Sequence, residues 1–183
     1  MKKFTIIDTP GFEDLPDESL ASLKKIAETL KVMHPRPVYG AIYFHRITDG
    51  RLMGTARTVL EIFKAICGPQ FYPRVAFVTT MWDTISRPRV ERYQLINDEL
   101  EKRHMTLSQD SPKVFRRLFD DRESSIAVLE HFANLPRDAK KPPPQLQLVK
   151  EVLLMKEANV RRTAAGKEIM KKTGSDGFCC VVS

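Results

Sequence analysis

The chain has 183 residues, 42% of them hydrophobic and 29% charged, with a formal charge of +7 and three cysteines. That length holds one α/β domain and a tail, in an ordinary globular composition. It excludes a disulfide framework, and no run reaches the ~18 apolar residues of a membrane span. The start, Met1-Lys2-Lys3-Phe4, carries no long apolar segment of the secretory kind. The charge is unevenly placed. Residues 137–183 hold ten Lys and Arg against five Asp and Glu, and the remainder holds twenty against eighteen. The basic tail has one aromatic residue, Phe178, so it lacks the aromatic-lined basic groove of a nucleic-acid binder.

Phe4 to Ile7 reads as a short buried strand that ends in Asp8 and is stopped by Pro10-Gly11. A strand-end acid is either a cap in an ordinary turn or a handler of metal and phosphate, and a glycine three residues on suits the second. The carboxylate reaches the metal, and the Gly11 amide approaches phosphate with no side chain in the way. Asp17 or Ser19 then caps a helix running to about Met33, with Leu20, Leu23, Ala27 and Leu30 on one face. His34-Pro35-Arg36-Pro37 ends it. Val38 to Phe44 is a continuous apolar run, as expected of a strand buried on both faces of a parallel sheet. His45 and Arg46 follow at the carboxyl end, where open α/β sheets bind ligands; Arg46 is a phosphate contact, a charge stabiliser across a dimer, or, with His45, an ordinary surface loop pair. A helix through Leu60, Phe63, Ile66 and Cys67 closes at Gly68-Pro69. Cys67 reads as a small core residue.

Arg74 to Thr80 is the next strand and runs into Thr80-Met81-Trp82-Asp83. Pro88 opens a helix through Tyr93, Ile96 and Leu100. Val114 to Phe119 is a short strand ending in Asp120-Asp121, and Glu123 to Phe132 is a helix with Ile126, Leu129 and Phe132 on one side. This alternation implies parallel strands with right-handed crossovers. Lys140-Lys141-Pro142-Pro143-Pro144 breaks it and marks a linker over residues 137–145. Residues 146–172 are helical again, with Leu146, Val149, Leu153 and Val160 as a seam that Lys156 interrupts. A coiled coil, a helix packed on the domain, and a helix lying on a membrane remain alternatives.

The two boxes, D-x-x-G at Asp8 and Gly11 and T-x-x-D at Thr80 and Asp83, stand in order with a strand and a helix between them. Together with Ile42-Tyr43-Phe44-His45-Arg46-Ile47 they resemble fungal G-domain proteins related to the immunity-associated, GIMAP-like GTPases. The resemblance runs from Phe4 to about Gly166. It implies a three-layer α/β, P-loop NTPase-like parallel sheet over residues 1–136, followed by the C-terminal helix. It also implies guanine nucleotide, GTP or GDP, and Mg²⁺ as ligands. Asp8 would serve the metal, Gly11 the phosphate, and Thr80 and Asp83 the base. Asp121 would stand in the last base-contacting loop. Met81 replaces the usual Lys and supplies an apolar stem without charge.

No G-x-x-x-x-G-K-[ST] loop occurs in the sequence. The resemblance is therefore to a GTP-binding molecular switch whose G domain is incomplete at its N-terminus, with weak or absent GTPase activity. In Ras-like sheets the missing strand lies between the D-x-x-G strand and the strand that here is Val38–Phe44. Either those two strands pair directly, or another segment fills the slot, or the chain is an incomplete gene product. The alternative function is a nucleotide-free, membrane-tethered interaction module. It would meet a second copy or another protein through the C-terminal helix.

The chain ends Cys180-Val181-Val182-Ser183, a C-a-a-X tetrad of the farnesyl type, in a tail over residues 173–183. Cys179 offers a second thiol for palmitoylation, and the basic segment upstream adds attraction to an anionic leaflet. These features predict a protein held peripherally on a cytoplasmic membrane face.

Overall fold

The computed structural model describes residues 4–12, 16–49, 55–102, 113–116, 122–136, 142–155, 159–171 and 178–182. Five strands form one sheet: β1 (Ile6–Asp8), β2 (Gly40–Arg46), β3 (Val75–Thr80), β4 (Lys113–Arg116) and β5 (Phe178–Val182), in the order β1-β5-β2-β3-β4. β2 pairs parallel with β3, and β3 parallel with β4. β5 is antiparallel to both β1 and β2, so β1 runs the same way as β2. Four strands are thus parallel, as the apolar runs imply. The fifth is a reversed strand inside the sheet, where the sequence reading placed a tail.

β5 fills the slot between β1 and β2. On one side Cys180 stands opposite Asp8, and on the other opposite Ile42. Every ladder pair of β1 is made to β5. In the structure another segment, β5, occupies the gap, and β1 and β2 do not pair directly.

Six α-helices lie among the described residues: α1 (Pro16–Met33), α2 (Thr55–Cys67), α3 (Val90–Leu100), α4 (Arg122–Asn134), α5 (Gln147–Leu154) and α6 (Ala164–Lys171). α1 carries Asp17 and Glu18 in its first turn and Lys31 in its last, complementing the helix dipole. Its buried stripe holds the four predicted apolar residues together with Ile26. α2 ends before Gly68, whose φ of 74° lies in the region that favours glycine.

The two faces of the sheet bury alternate residues. Ala41, Tyr43, Val75 and Phe77 join the core formed with α1 and α2, and Ile42, Ala76 and Val78 pack with Val128 and Phe132 of α4. Burial on both sides is why β2 and β3 read as unbroken apolar runs. Tyr43, Phe63 and Phe77 stack with ring centroids 5.3 to 6.2 Å apart. On α4 the buried residues are Val128 and Phe132, and Ile126 is exposed, so the stripe is rotated from the predicted one. A Cβ at Gly40 would overlap the Phe132 ring, which sets how closely α4 approaches β2.

The described residues between 146 and 171 form two short α-helices rather than one seam. Leu146, Leu148, Val149, Val152, Val160, Ala165 and Ile169 are buried in the same core as α1 and α2. Leu153, a predicted seam residue, is exposed instead. α6 starts where two polar groups gather its first amides. Thr163 Oγ1 accepts from the Gly166 amide at 3.0 Å, and Glu151 of α5 accepts from the Ala164 amide at 3.0 Å. Arg161 reaches Asp17 of α1 at 2.9 Å.

Candidate functional site at the carboxyl edge of the sheet

Because β1, β2 and β3 run the same way, Asp8, Arg46 and Thr80 end on one edge of the sheet. Asp8 is exposed there. The turn that follows is pinned by Phe12, 2% exposed in the main core, and Gly11 is half-buried on the way to it. Arg46 lies at the end of β2, and its Nε donates to Asp49 Oδ2 at 3.0 Å. The pair is half-exposed, and it directs the guanidinium toward a neighbouring carboxylate.

The best-built part of this edge is the turn after β3. Thr79 is fully buried, and its hydroxyl donates to Asn97 Oδ1 of α3 at 3.0 Å and accepts from Trp82 Nε1 at 3.0 Å. Asn97 and Trp82 are 1% and 5% exposed. This three-residue link ties the turn to α3 from below. At Met81 the backbone enters the left-handed region, φ 65° and ψ 25°, and the side chain is 43% exposed. A methionine there is strained by a conformation that glycine adopts freely. The strain is held by Thr84, whose hydroxyl donates to the Met81 carbonyl oxygen at 2.7 Å. Asp83 is exposed on the same turn. Thr80 Oγ1 donates to the His45 carbonyl oxygen at 3.5 Å and joins the ends of β3 and β2.

Thr80 and Asp83 are therefore brought together on one turn. Asp8 and Gly11 are not brought to them. β1 stands three strand spacings from β3, or ~14 Å across the sheet. Asp8 is also level with Ile42, four residues before Arg46, or ~13 Å back along the strand axis. A ligand using both boxes would have to span that staggered edge. Asp121 lies outside the described residues. Cys179 and Cys180 are in β5, paired with Tyr43 and Ile42. Among the described residues no three His, Cys, Asp or Glu side chains gather to hold a metal ion.

Two features of this edge escape a sequence reading centred on motifs. Asn97 sits four residues from Tyr93 and beside Ile96 on the predicted apolar stripe of α3, and a polar residue on such a stripe is the available signal. β5 is an unbroken β-prone run, Phe178 to Val182, that the C-a-a-X reading absorbed.

A cavity of about 160 Å³ lies at the opposite, amino edge, between His34–Val38 and Pro142–Leu146. It is remote from the boxes. No helix among the described residues is long and apolar enough to cross a membrane. The chain matches no protein-family model, no curated protein and no solved structure.

Proposed function

We propose that this chain is a G-domain-like α/β module used as a membrane-tethered interaction unit, and that it does not turn over GTP. The observation that carries the reading is the direction of β5. In that slot a parallel strand would deliver its carboxyl end, and the loop and helix start after it, to the ligand edge. Amides at such a helix start are what cradle phosphate. β5 runs the other way and brings its amino end, Phe178 opposite Phe44, to that edge. On this reading the groups that supply most of the electrostatic stabilisation in phosphoryl transfer would have no place beside Asp8 while β5 fills the slot.

The tether reading rests on the C-a-a-X ending and on the exposed side of the last helical segment. On α6, Lys167, Met170 at 53% and Lys171 are exposed, and at i, i+3 and i+4 they share one helix face. Basic and apolar side chains presented together suit an anionic lipid surface. Fractionation of cells expressing the parent and Cys180→Ser tests it. The parent is expected with membranes and the variant in the soluble fraction. Equal membrane association of the two would overturn the lipid anchor.

Calorimetry with Mg²⁺ and GTP tests the nucleotide half. Binding no tighter than ~1 mM, about −4 kcal/mol, is expected. Micromolar affinity would overturn it in favour of a second reading, a guanine-nucleotide-binding switch. That reading is favoured by one observation, the preformed Thr80–Asp83 turn. Under it, Asp83→Ala would abolish the binding.

A further inference from the structure

Cys180 has two assignments that compete. It is the residue of the C-a-a-X tetrad that would carry lipid, and its backbone stands in the middle of a three-strand ladder, between Asp8 and Ile42. We propose that Phe178–Val182 is a two-position element, either a ladder strand or an isoprenoid-bearing tail, and that the two positions exclude each other. The proposal rests on the tether reading above and adds to it a means of control.

The exclusion follows from the register. To be lipidated, Cys180, Val181 and Val182 must leave the sheet, and the tetrad must lie extended in a transferase. There the Cys180 thiolate sulfur attacks C1 of an isoprenyl diphosphate. The S–C bond forms, the C–O bond to diphosphate breaks, diphosphate leaves, and the thiol proton passes to solvent. None of this is accessible while Cys180 is held between two strands. The reverse path is blocked as well. Hydrolysis of the peptide bond after Cys180, the usual sequel at such endings, adds water and releases Val181-Val182-Ser183. Val181 and Val182 make two of the three pairs to β1, Ile7↔Val181 and Ile6↔Val182. They also make two of the five pairs to β2. A processed tail keeps only the Asp8 pair with β1, too little to rebuild the strand.

Lipidation and processing therefore release β1 from the sheet and leave β2 with at most three of its five pairs to β5. β1 carries Asp8 and leads into the turn that Phe12 anchors, so the anchor and the D-x-x-G turn are coupled through one strand. Whatever holds β5 in place slows modification, and modification loosens β1, as linkage requires.

The test is in vitro farnesylation with farnesyl diphosphate and a purified protein farnesyltransferase. The substrates are the full-length chain, its Phe178→Pro and Ile7→Pro variants, and a synthetic peptide of residues 172–183 with and without Phe178→Pro. The peptide needs no fold and sets the unhindered rate. Proline disfavours strand pairing in β5 in one variant and in β1 in the other, and leaves the terminal tetrad intact. The parent is expected to react at least about tenfold more slowly than either variant and than the peptide. After modification and removal of the last three residues, the amides of Ile6–Asp8 are expected to exchange hydrogen faster, with those of Val75–Thr80 unchanged. A parent that reacts as fast as both variants would overturn the gating and leave the tether standing. Unaltered protection of β1 in the processed protein would overturn the exclusion. A peptide that does not react at all would overturn both the lipid acceptor and the tether reading.

Discussion

Thr79 is the residue on which the turn after β3 depends. Its single hydroxyl donates to Asn97 and accepts from Trp82, and all three groups are buried. Replacing it with the isosteric Val keeps the packing and strands two polar groups. Thr79→Val is expected to destabilise the fold by about 1–3 kcal/mol, read from the midpoint of urea unfolding. Trp82 is the only tryptophan, so its fluorescence reports the same site. Combining Thr79→Val with Asn97→Leu should cost less than the two single changes together, because the second removes one of the groups the first left unpaired. Strict additivity would show that the link is not a unit. Tyr72 offers a pH readout. Burial pushes its phenol above the ordinary 10.0, with Cys67 and Glu61 adding to the rise. The unfolded chain thus loses this proton at lower pH than the native one. The associated stability is intact below pH 10.0 and is lost as pH climbs through the raised native value. Unfolding midpoints measured from pH 8 to 11 should fall less steeply for Tyr72→Phe than for the parent (roughly the range spanning the phenol's titration).

At the scale of elements, the joint between α5 and α6 decides how the last third of the chain sits. α6 begins at a buried threonine cap and leans on the backbone of Val160 and Arg161 at Gly166. A methyl group at Gly166 would overlap the Val160 carbonyl oxygen, and backbone has little room to move aside. Gly166→Ala is expected to cost about 1–3 kcal/mol despite its better helix propensity, as overpacking does. Circular dichroism with urea unfolding checks it, and a neutral or stabilising result would mean that the joint is not tight. Thr163→Ala should cost about 1–2 kcal/mol by the same measurement, through loss of the cap. The Arg161–Asp17 pair is more than half-exposed on both sides, so Asp17→Asn is expected within about 0.5 kcal/mol of the parent.

At the scale of the whole molecule, β5 is the piece that makes β1 part of the sheet. A chain ending before Phe178 loses every ladder pair of β1 and one side of β2. It should expose two strand edges and self-associate as its concentration rises, because unpaired amides and carbonyls recruit other strands. Sedimentation velocity of the truncated and full-length chains across a concentration series measures this. Identical, concentration-independent profiles would mean that β1 and β2 close on each other directly.

Local rules carried the sequence reading as far as they reach. The stripe of α1, the end of α2 at Gly68, the parallel pairing of β2 with β3 and the core place of Cys67 all follow from patterns a few residues long. So does the Thr80–Asp83 turn, whose two named residues lie three apart. Tertiary structure decided the rest. The partner of Ile6 is Val182, and the cap of α6 comes partly from Glu151 across a helix joint. The network under the turn joins Thr79 to Asn97 on another element. The run Phe178 to Val182 is equally apolar as a strand or as a lipid-bearing tail. Composition cannot tell those apart, because strand pairing is chosen by the edge that is vacant when the remaining elements have packed. Here that edge was the gap between β1 and β2, and only the folded chain presents it.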